Sequence, residues 1–314
     1  MKSKDTVFAP ILLVCVFLLL GSGSWLLSTG SLGEKQLGLA ENPYLAAVVL
    51  QLLVYALPSL FYCRIRGSEF RDRLRLKLPS FSHCLFLLYA AVLLIGGSAL
   101  ISVGMYTLFP ESFAVGSADT YTAFARNAGI FDGLYLVLAF AVLPAVTEEF
   151  LFRGIMAASY ERLGVSMAVF VSALTFAMSH FSFSRFPVYF FSGLILSVVV
   201  YATRSLPAAV LVHGLNNIFV LFLESYVLHI AEKQSISMIL FIIIVSFFTL
   251  LAAVLLCFEA GNIYSGYAKQ NMPSPYAVKR KGGFFNALAE SIFSPAFLVA
   301  VVLFVLITVF ITGA

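Results

Sequence analysis

The sequence contains little charge. Only 11% of its 314 residues are Asp, Glu, Lys or Arg, whereas 61% are hydrophobic and the mean hydropathy is +1.01. Soluble domains carry about 25% charged residues, so this composition excludes an ordinary soluble domain and indicates a polytopic membrane protein. The few basic residues lie at the edges of apolar runs with no folded basic domain around them, and we therefore expect no nucleic-acid partner.

Cysteine is also scarce, and two familiar catalytic motifs are missing. The sequence has four cysteines and no CxxC pair, so we predict small packing residues rather than a disulfide framework or a zinc cluster. It has no H-E-x-x-H, the helical motif of many zinc proteases, and no G-x-S-x-G, the motif of serine hydrolases. Asp132, at a membrane edge, has no intramembrane Asp to form an aspartyl pair with.

Long apolar runs are abundant and predict an all-α polytopic membrane protein with about eight to nine transmembrane helices. The predicted spans are 7–27, 44–63, 84–109, 131–158, 165–181, 186–202, 207–230, 236–258 and 292–312. We divide the chain into three N-terminal spans in 1–130, a four-span core in 131–230, and C-terminal helices in 231–314. The last part includes a predicted cytoplasmic linker at 259–291, the longest polar segment, with Pro273 and Pro275.

The positions of Lys and Arg predict the orientation of these spans. With the N-terminus inside, most of the 19 basic residues fall on inner segments, and the outer segments hold Lys35, Arg126, Arg185 and Lys233. This bias favours a cytoplasmic N-terminus, with 7–27 as an uncleaved first span. We expect an integral multi-pass protein, located in the plasma membrane if the source is bacterial.

Two carboxylates and a guanidinium lie inside the fourth apolar run. Each such residue costs roughly 2.5 to 3.5 kcal/mol at the centre of a membrane helix, so intramembrane charges are candidates for function. Glu149 and Arg153 are four residues apart with Glu first, the favourable order for an ion pair. Glu148 is turned about 100° from Glu149. We therefore expect Arg153 to neutralise Glu149 and to leave Glu148 available on another face.

Three further polar side chains lie within later spans, namely His180, His213 and Asn217. Taken singly, such residues most often form hydrogen bonds between helices. Taken with Glu148, they suit two chemistries. A Glu and a His can deprotonate a water molecule while a second His and an Asn stabilise an oxyanion. Alternatively, Glu148, His180 and His213 could ligate zinc.

The spacing of these residues adds a family resemblance. Three motifs occur in order on separate predicted spans: Glu148-Glu149-x-x-x-Arg153, Phe176-x-x-x-His180 and His213-x-x-x-Asn217. Together they resemble the E-E-x-x-x-R, F-x-x-x-H and H-x-x-x-[ND] motifs of the CAAX protease and bacteriocin-processing (Abi) family of intramembrane proteases. The resemblance covers about 134–218. This family includes the type II CAAX prenyl endopeptidases, which remove three residues after a prenylated cysteine.

The resemblance implies an intramembrane endopeptidase with a central catalytic helix bundle. It assigns water activation to Glu148 and His180, oxyanion stabilisation to His213 and Asn217, and supporting roles to Glu149 and Arg153. It further implies a glutamate-type mechanism with no metal or other cofactor, a site open to the cytosol, and a lipidated or otherwise membrane-associated peptide as substrate.

Two other classes of function are compatible with buried Glu, Arg and His residues. A proton-coupled transporter uses such groups as a relay, although we find no inverted repeat in the sequence. A catalytically silent scaffold or immunity protein would be indicated by loss of the motif residues, and in this sequence all of them are present. One geometric conflict also arises, since the predicted topology places His180 near the outer end of its span and His213 near the inner end of its own. We therefore expect either that the pair of spans in 165–202 is tilted or crosses the membrane incompletely, or that one predicted helix boundary is misplaced.

Overall fold

The computed structural model describes residues 4–29, 43–110, 130–233, 235–272 and 284–312. Throughout these ranges the regular structure is helical and contains no strand. The predicted outer-loop residues Lys35 and Arg126 lie outside the described residues.

Ten principal helices follow one another along the chain. They are α1 (Lys4–Thr29), α2 (Pro43–Leu50, Gln51–Ala56 and Leu57–Arg66), α3 (Cys84–Leu108), α4 (Ile130–Val137, Leu138–Val142, Leu143–Glu149, Phe150–Met156 and Ala157–Tyr160), α5 (Val165–Met178), α6 (Phe186–Thr203), α7 (Leu206–Glu232), α8 (Ile236–Lys269), α9 (Phe284–Ile292) and α10 (Pro295–Thr312). Short helical turns at Ser68–Arg71, Asp72–Leu74 and Phe81–His83 connect α2 to α3.

The described residues include seven helices that are long and apolar enough to cross a membrane. Helices α9 and α10 meet at a 68° bend and together form an eighth candidate span. These helices confirm the predicted all-α polytopic membrane protein. The cytoplasmic position of the N-terminus, the identity of the membrane and the division of the chain into three parts stay predictions.

Helix α5 is too short to cross the membrane alone. Its 14 residues rise about 21 Å, whereas the hydrocarbon core is about 30 Å thick. The prediction of a full fifth span at 165–181 is therefore wrong. How this hairpin is placed in the membrane stays a prediction. Because α5 ends at Met178 and α6 begins at Phe186, His180 lies in the short turn between them, where it is half-buried.

Much of the segment 259–291, which we predicted to be a cytoplasmic linker, is helical in the structure. Helix α8 continues without a break to Lys269, because residues 259–269 contain no proline and remain compatible with a helix. Residues Phe284–Ile292 are helical as well. The residues between Met272 and Phe284, which include Pro273 and Pro275, lie outside the described residues.

Three wide π-helical turns occur in α2 and α4, at Gln51–Ala56, Leu138–Val142 and Phe150–Met156. The first two directly precede helical segments with Pro58 and Pro144 near their start. Proline lacks the N–H group of a regular helical hydrogen bond, which gives the wider turn a physical cause. Such turns are frequent at functional sites, and here two of them flank Leu143–Glu149.

Close contact between small residues fixes the α5–α6 hairpin. A Cβ atom added at Gly193 would lie 2.6 Å from the Cα atom of Ala173, so only glycine permits this approach. Membrane helices commonly associate in this way, because lipid supplies no hydrophobic driving force between helices. Helix α3 packs on α6, α7 and α8, α7 packs on α4, and α1 packs on α10. The polar residues of α4, α5 and α7 thereby meet in one interior region.

Candidate active site

A buried ion pair anchors the site on α4. The Nη1 atom of Arg153 donates a hydrogen bond to Oε1 of Glu149 over 2.7 Å, and neither side chain is exposed. The guanidinium carbon of Arg153 lies 4.3 Å from the centre of the Phe176 ring on α5, a cation–π contact. The pairing predicted from the four-residue spacing is confirmed, and it fixes the Glu149 carboxylate in one position.

His213 on α7 lies within reach of both glutamates. Its Nδ1 atom is 2.8 Å from Oε1 of Glu149, and its Nε2 atom is 4.0 Å from Oε2 of Glu148. The ionised Glu149 carboxylate only accepts hydrogen bonds, so Nδ1 of His213 carries the proton. The Nε2 atom is then the nitrogen that faces Glu148, and it accepts a proton when the ring becomes an imidazolium.

His180 is held next to the same aromatic residue. Its Nδ1 atom lies 2.9 Å from the carbonyl oxygen of Phe176, an acceptor only, so Nδ1 donates and Nε2 is the basic nitrogen of the neutral ring. The Tyr189 ring stacks on His180 with centroids 3.7 Å apart. The Phe176 ring centre lies 4.8 Å from that of His180 and 5.6 Å from that of His213. Phe176 therefore brings the two imidazoles to one region, which removes the conflict of depth.

Asn217 lies one helical turn beyond His213 on α7. Its Nδ2 atom donates a hydrogen bond to the carbonyl oxygen of Ala141 over 3.3 Å, and the side chain is half-buried. Ala141 belongs to a π-helical turn of α4, where backbone carbonyls are displaced from the regular helical pattern. The contact ties α7 to α4 beside the Glu148 segment.

Two residues of this region were missed by the sequence analysis. Gln51 of α2 donates from Nε2 to Oε1 of Glu148 over 3.4 Å. Tyr189 of α6 supplies the ring that stacks on His180. A usable signal existed for Gln51, because it is an isolated amide in the apolar run 44–63. The sequence held no comparable signal for Tyr189, one of 14 tyrosines.

The zinc alternative would require Glu148, His180 and His213 to converge on one point. Within the described part of the chain, no group of three or more His, Cys, Asp or Glu residues is arranged to hold a metal ion. Glu148, His180 and His213 therefore do not form a three-ligand cluster, and a mechanism without metal stays a prediction. What the site does offer is a buried carboxylate beside an imidazole, with a second imidazole and an amide close to the same helices, a set suited to proton transfer.

The comparison with known protein families identifies the segment that contains this site. Residues 130–219 match the family described as Type II CAAX prenyl endopeptidase Rce1-like. Neither a curated protein nor a solved structure matches the chain. The matched segment contains all three motifs and most of α4 to α7, although it is less than a third of the chain. Over residues 130–219 the chain is therefore similar to the Type II CAAX prenyl endopeptidase Rce1-like family, which supports the predicted resemblance and a CAAX-type intramembrane protease as its general class.

Proposed function

We propose that the protein is a glutamate-type intramembrane endopeptidase in which Glu148 is the general base. The observation that supports this most directly is the 4.0 Å separation between Oε2 of Glu148 and Nε2 of His213 inside a buried cluster. A carboxylate placed there can take a proton from water, and the neighbouring imidazole can hold or release one.

The balance of charges in the cluster favours a particular protonation state of Glu148 and His213. Glu148 and Glu149 carry two negative charges if both are ionised, and Arg153 offsets one of them. In a low-dielectric interior an unbalanced charge is costly, so the cluster favours one additional proton. When that proton is on Nε2 of His213, Glu148 is a carboxylate ready to act as base and His213 is a hydrogen-bond donor.

In this protonation state, each side chain can take the catalytic role that we propose for it. Glu148, assisted by the basic nitrogen of His180, removes a proton as the water oxygen attacks the peptide carbonyl. His213 and the Asn217 amide donate hydrogen bonds to the oxyanion of the tetrahedral intermediate. The carbon–nitrogen bond then breaks, and the removed proton passes to the departing amine nitrogen. The acyl product is a carboxylic acid, which loses its remaining proton to water and becomes a carboxylate.

The proposed substrate is a membrane-bound peptide with a prenylated cysteine, cleaved after that cysteine. The family description supplies the substrate class, and the intramembrane position of the cluster suits a lipidated segment that reaches it from the bilayer. Burial of the site also limits water around the scissile bond, which strengthens each electrostatic contact.

The test uses two matched peptides in detergent or liposomes. Both carry the same sequence, with a fluorophore and a quencher on opposite sides of the bond after cysteine, and only one has an S-farnesyl group. We expect the purified protein to cleave the farnesylated peptide and to release a three-residue product, identified by mass spectrometry. Equal cleavage of both peptides would contradict the prenyl substrate class, and cleavage of neither would contradict the proposed function.

A further inference from the structure

Gln51 connects helix α2 to the proposed general base. It lies in the π-helical turn Gln51–Ala56, outside the matched segment 130–219. Its Nε2 atom lies 3.4 Å from Oε1 of Glu148, whereas His213 approaches the other carboxylate oxygen, Oε2. The Glu148 side chain, only 9% exposed, therefore has one neighbour on each oxygen.

Thr147 fixes which end of the Gln51 amide faces Glu148. The Thr147 hydroxyl lies 2.7 Å from Oε1 of Gln51, closer than to the backbone carbonyls of Leu143 at 3.0 Å and Pro144 at 3.3 Å. A hydroxyl that donates to the amide oxygen directs the amide NH₂ group to the other side. A carboxylate accepts but never donates, so the reverse orientation would place two acceptors together.

We propose that Gln51 is a positioning residue for Glu148, itself oriented by Thr147. Its amide holds Oε1 of the carboxylate so that Oε2 stays directed at His213 and at the attacking water. This inference rests on the proposed function, because it assigns to Gln51 an effect on the Glu148 base. It extends the site to a helix that contains none of the three family motifs.

A purely structural role predicts something different. In a purely structural role, the Gln51 amide would do no more than form a hydrogen bond between two membrane helices, worth about 0.6 to 2 kcal/mol of stability. In that case its removal would lower the melting temperature and leave kcat of the folded protein intact. A positioning role predicts a fall in kcat with little change in KM, since Gln51 acts on the base rather than on the bound substrate.

The kinetic experiment compares three variants with matched controls in the full chain. We expect Gln51→Met and Thr147→Val each to lower kcat on the farnesylated peptide about tenfold, the rate equivalent of a lost hydrogen bond to a charged group. Thr147→Ser retains the hydroxyl and should recover wild-type kcat. The double variant Gln51→Met/Thr147→Val should have the same kcat as Gln51→Met alone, because Thr147 acts through Gln51. The same substitutions at exposed positions, Gln270→Met and Thr107→Val, should have no effect.

Infrared difference spectroscopy gives a readout that requires no substrate. The difference between the spectra of the wild type and Glu148→Gln identifies the carboxyl bands of Glu148, because these bands disappear in the variant. We expect Gln51→Met and Thr147→Val to shift these bands, and Thr147→Ser and Gln270→Met to leave them unchanged. If Gln51→Met does not fold, the comparison of Thr147→Val with Thr147→Ser decides the question.

The two proposals fail in distinguishable ways. Wild-type kcat and unshifted bands in the Gln51 and Thr147 variants, together with an inactive Glu148→Gln, would overturn only the positioning role. Additive losses in the double variant would also overturn it. Full activity of Glu148→Gln would instead reject the glutamate mechanism on which the inference rests.

Discussion

The Nε2 atom of His213 lies 4.0 Å from Oε2 of Glu148, while the other ring nitrogen is bound by Glu149, the next residue along α4. Adjacent residues of a helix point about 100° apart. Two consecutive glutamates on α4 can therefore reach opposite nitrogens of one imidazole on α7. This geometry gives a physical reason for a Glu-Glu pair rather than a single carboxylate.

The buried Arg153 charge should be essential for stability. We expect Arg153→Met to destabilise the protein by about 3 to 5 kcal/mol, because it leaves the Glu149 carboxylate buried without its ion-pair partner. Thermal unfolding in detergent measures the loss. The matched control is Arg64→Met, at an exposed position near the end of α2.

Removal of both charges separates stability from activity. The double variant Glu149→Gln/Arg153→Met should regain much of the melting temperature lost in Arg153→Met, since no uncompensated charge remains in that pair. It should stay at least tenfold less active, because a neutral amide in place of the Glu149 carboxylate no longer stabilises a protonated His213. Recovery of wild-type activity in the double variant would argue against that role for Glu149.

The Tyr189 ring should hold His180 in its productive orientation. Tyr189→Phe retains the stacked ring and should keep most of the activity, whereas Tyr189→Leu should lower kcat roughly two- to tenfold, the equivalent of one aromatic contact. Tyr226→Leu, at an exposed position of α7, is the control. A leucine variant as active as the phenylalanine variant would show that stacking is unimportant.

The close approach of α5 and α6 should tolerate no side chain at Gly193. Gly193→Ala places a Cβ atom 2.6 Å from the Cα atom of Ala173, and we expect a loss of about 1 to 3 kcal/mol in stability together with reduced activity. Gly261→Ala meets no atom within 4 Å and should behave as wild type. Equal melting temperatures for the two variants would contradict this packing arrangement.

Chelation should leave the reaction unchanged. The proposed base is a carboxylate and the proposed oxyanion donors are side chains, so no step requires a metal ion. We expect the same cleavage rate before and after dialysis against EDTA and 1,10-phenanthroline. Loss of activity that returns on addition of zinc would instead support the zinc alternative.

The sequence alone was sufficient for contacts within one helix and insufficient for contacts between helices. The Glu149–Arg153 pair follows from its four-residue spacing, and the structure contains it. The contact of Glu149 with His213 depends on how α4 and α7 pack, which no spacing encodes. Gln51 was overlooked because its partner is on another helix. The hydropathy pattern located most spans. It predicted α5 to be longer than it is and α8 to be shorter, since apolar runs and helical segments need not share boundaries.

The most direct measurement is the activity of Glu148→Gln on the farnesylated peptide. The change retains the size of the side chain and removes its capacity to accept a proton. We expect cleavage to fall by roughly 10²- to 10⁴-fold with an unchanged melting temperature, while Glu232→Gln, whose side chain is 65% exposed, remains fully active. A Glu148→Gln variant that cleaves at the wild-type rate would contradict the assignment of Glu148 as the base.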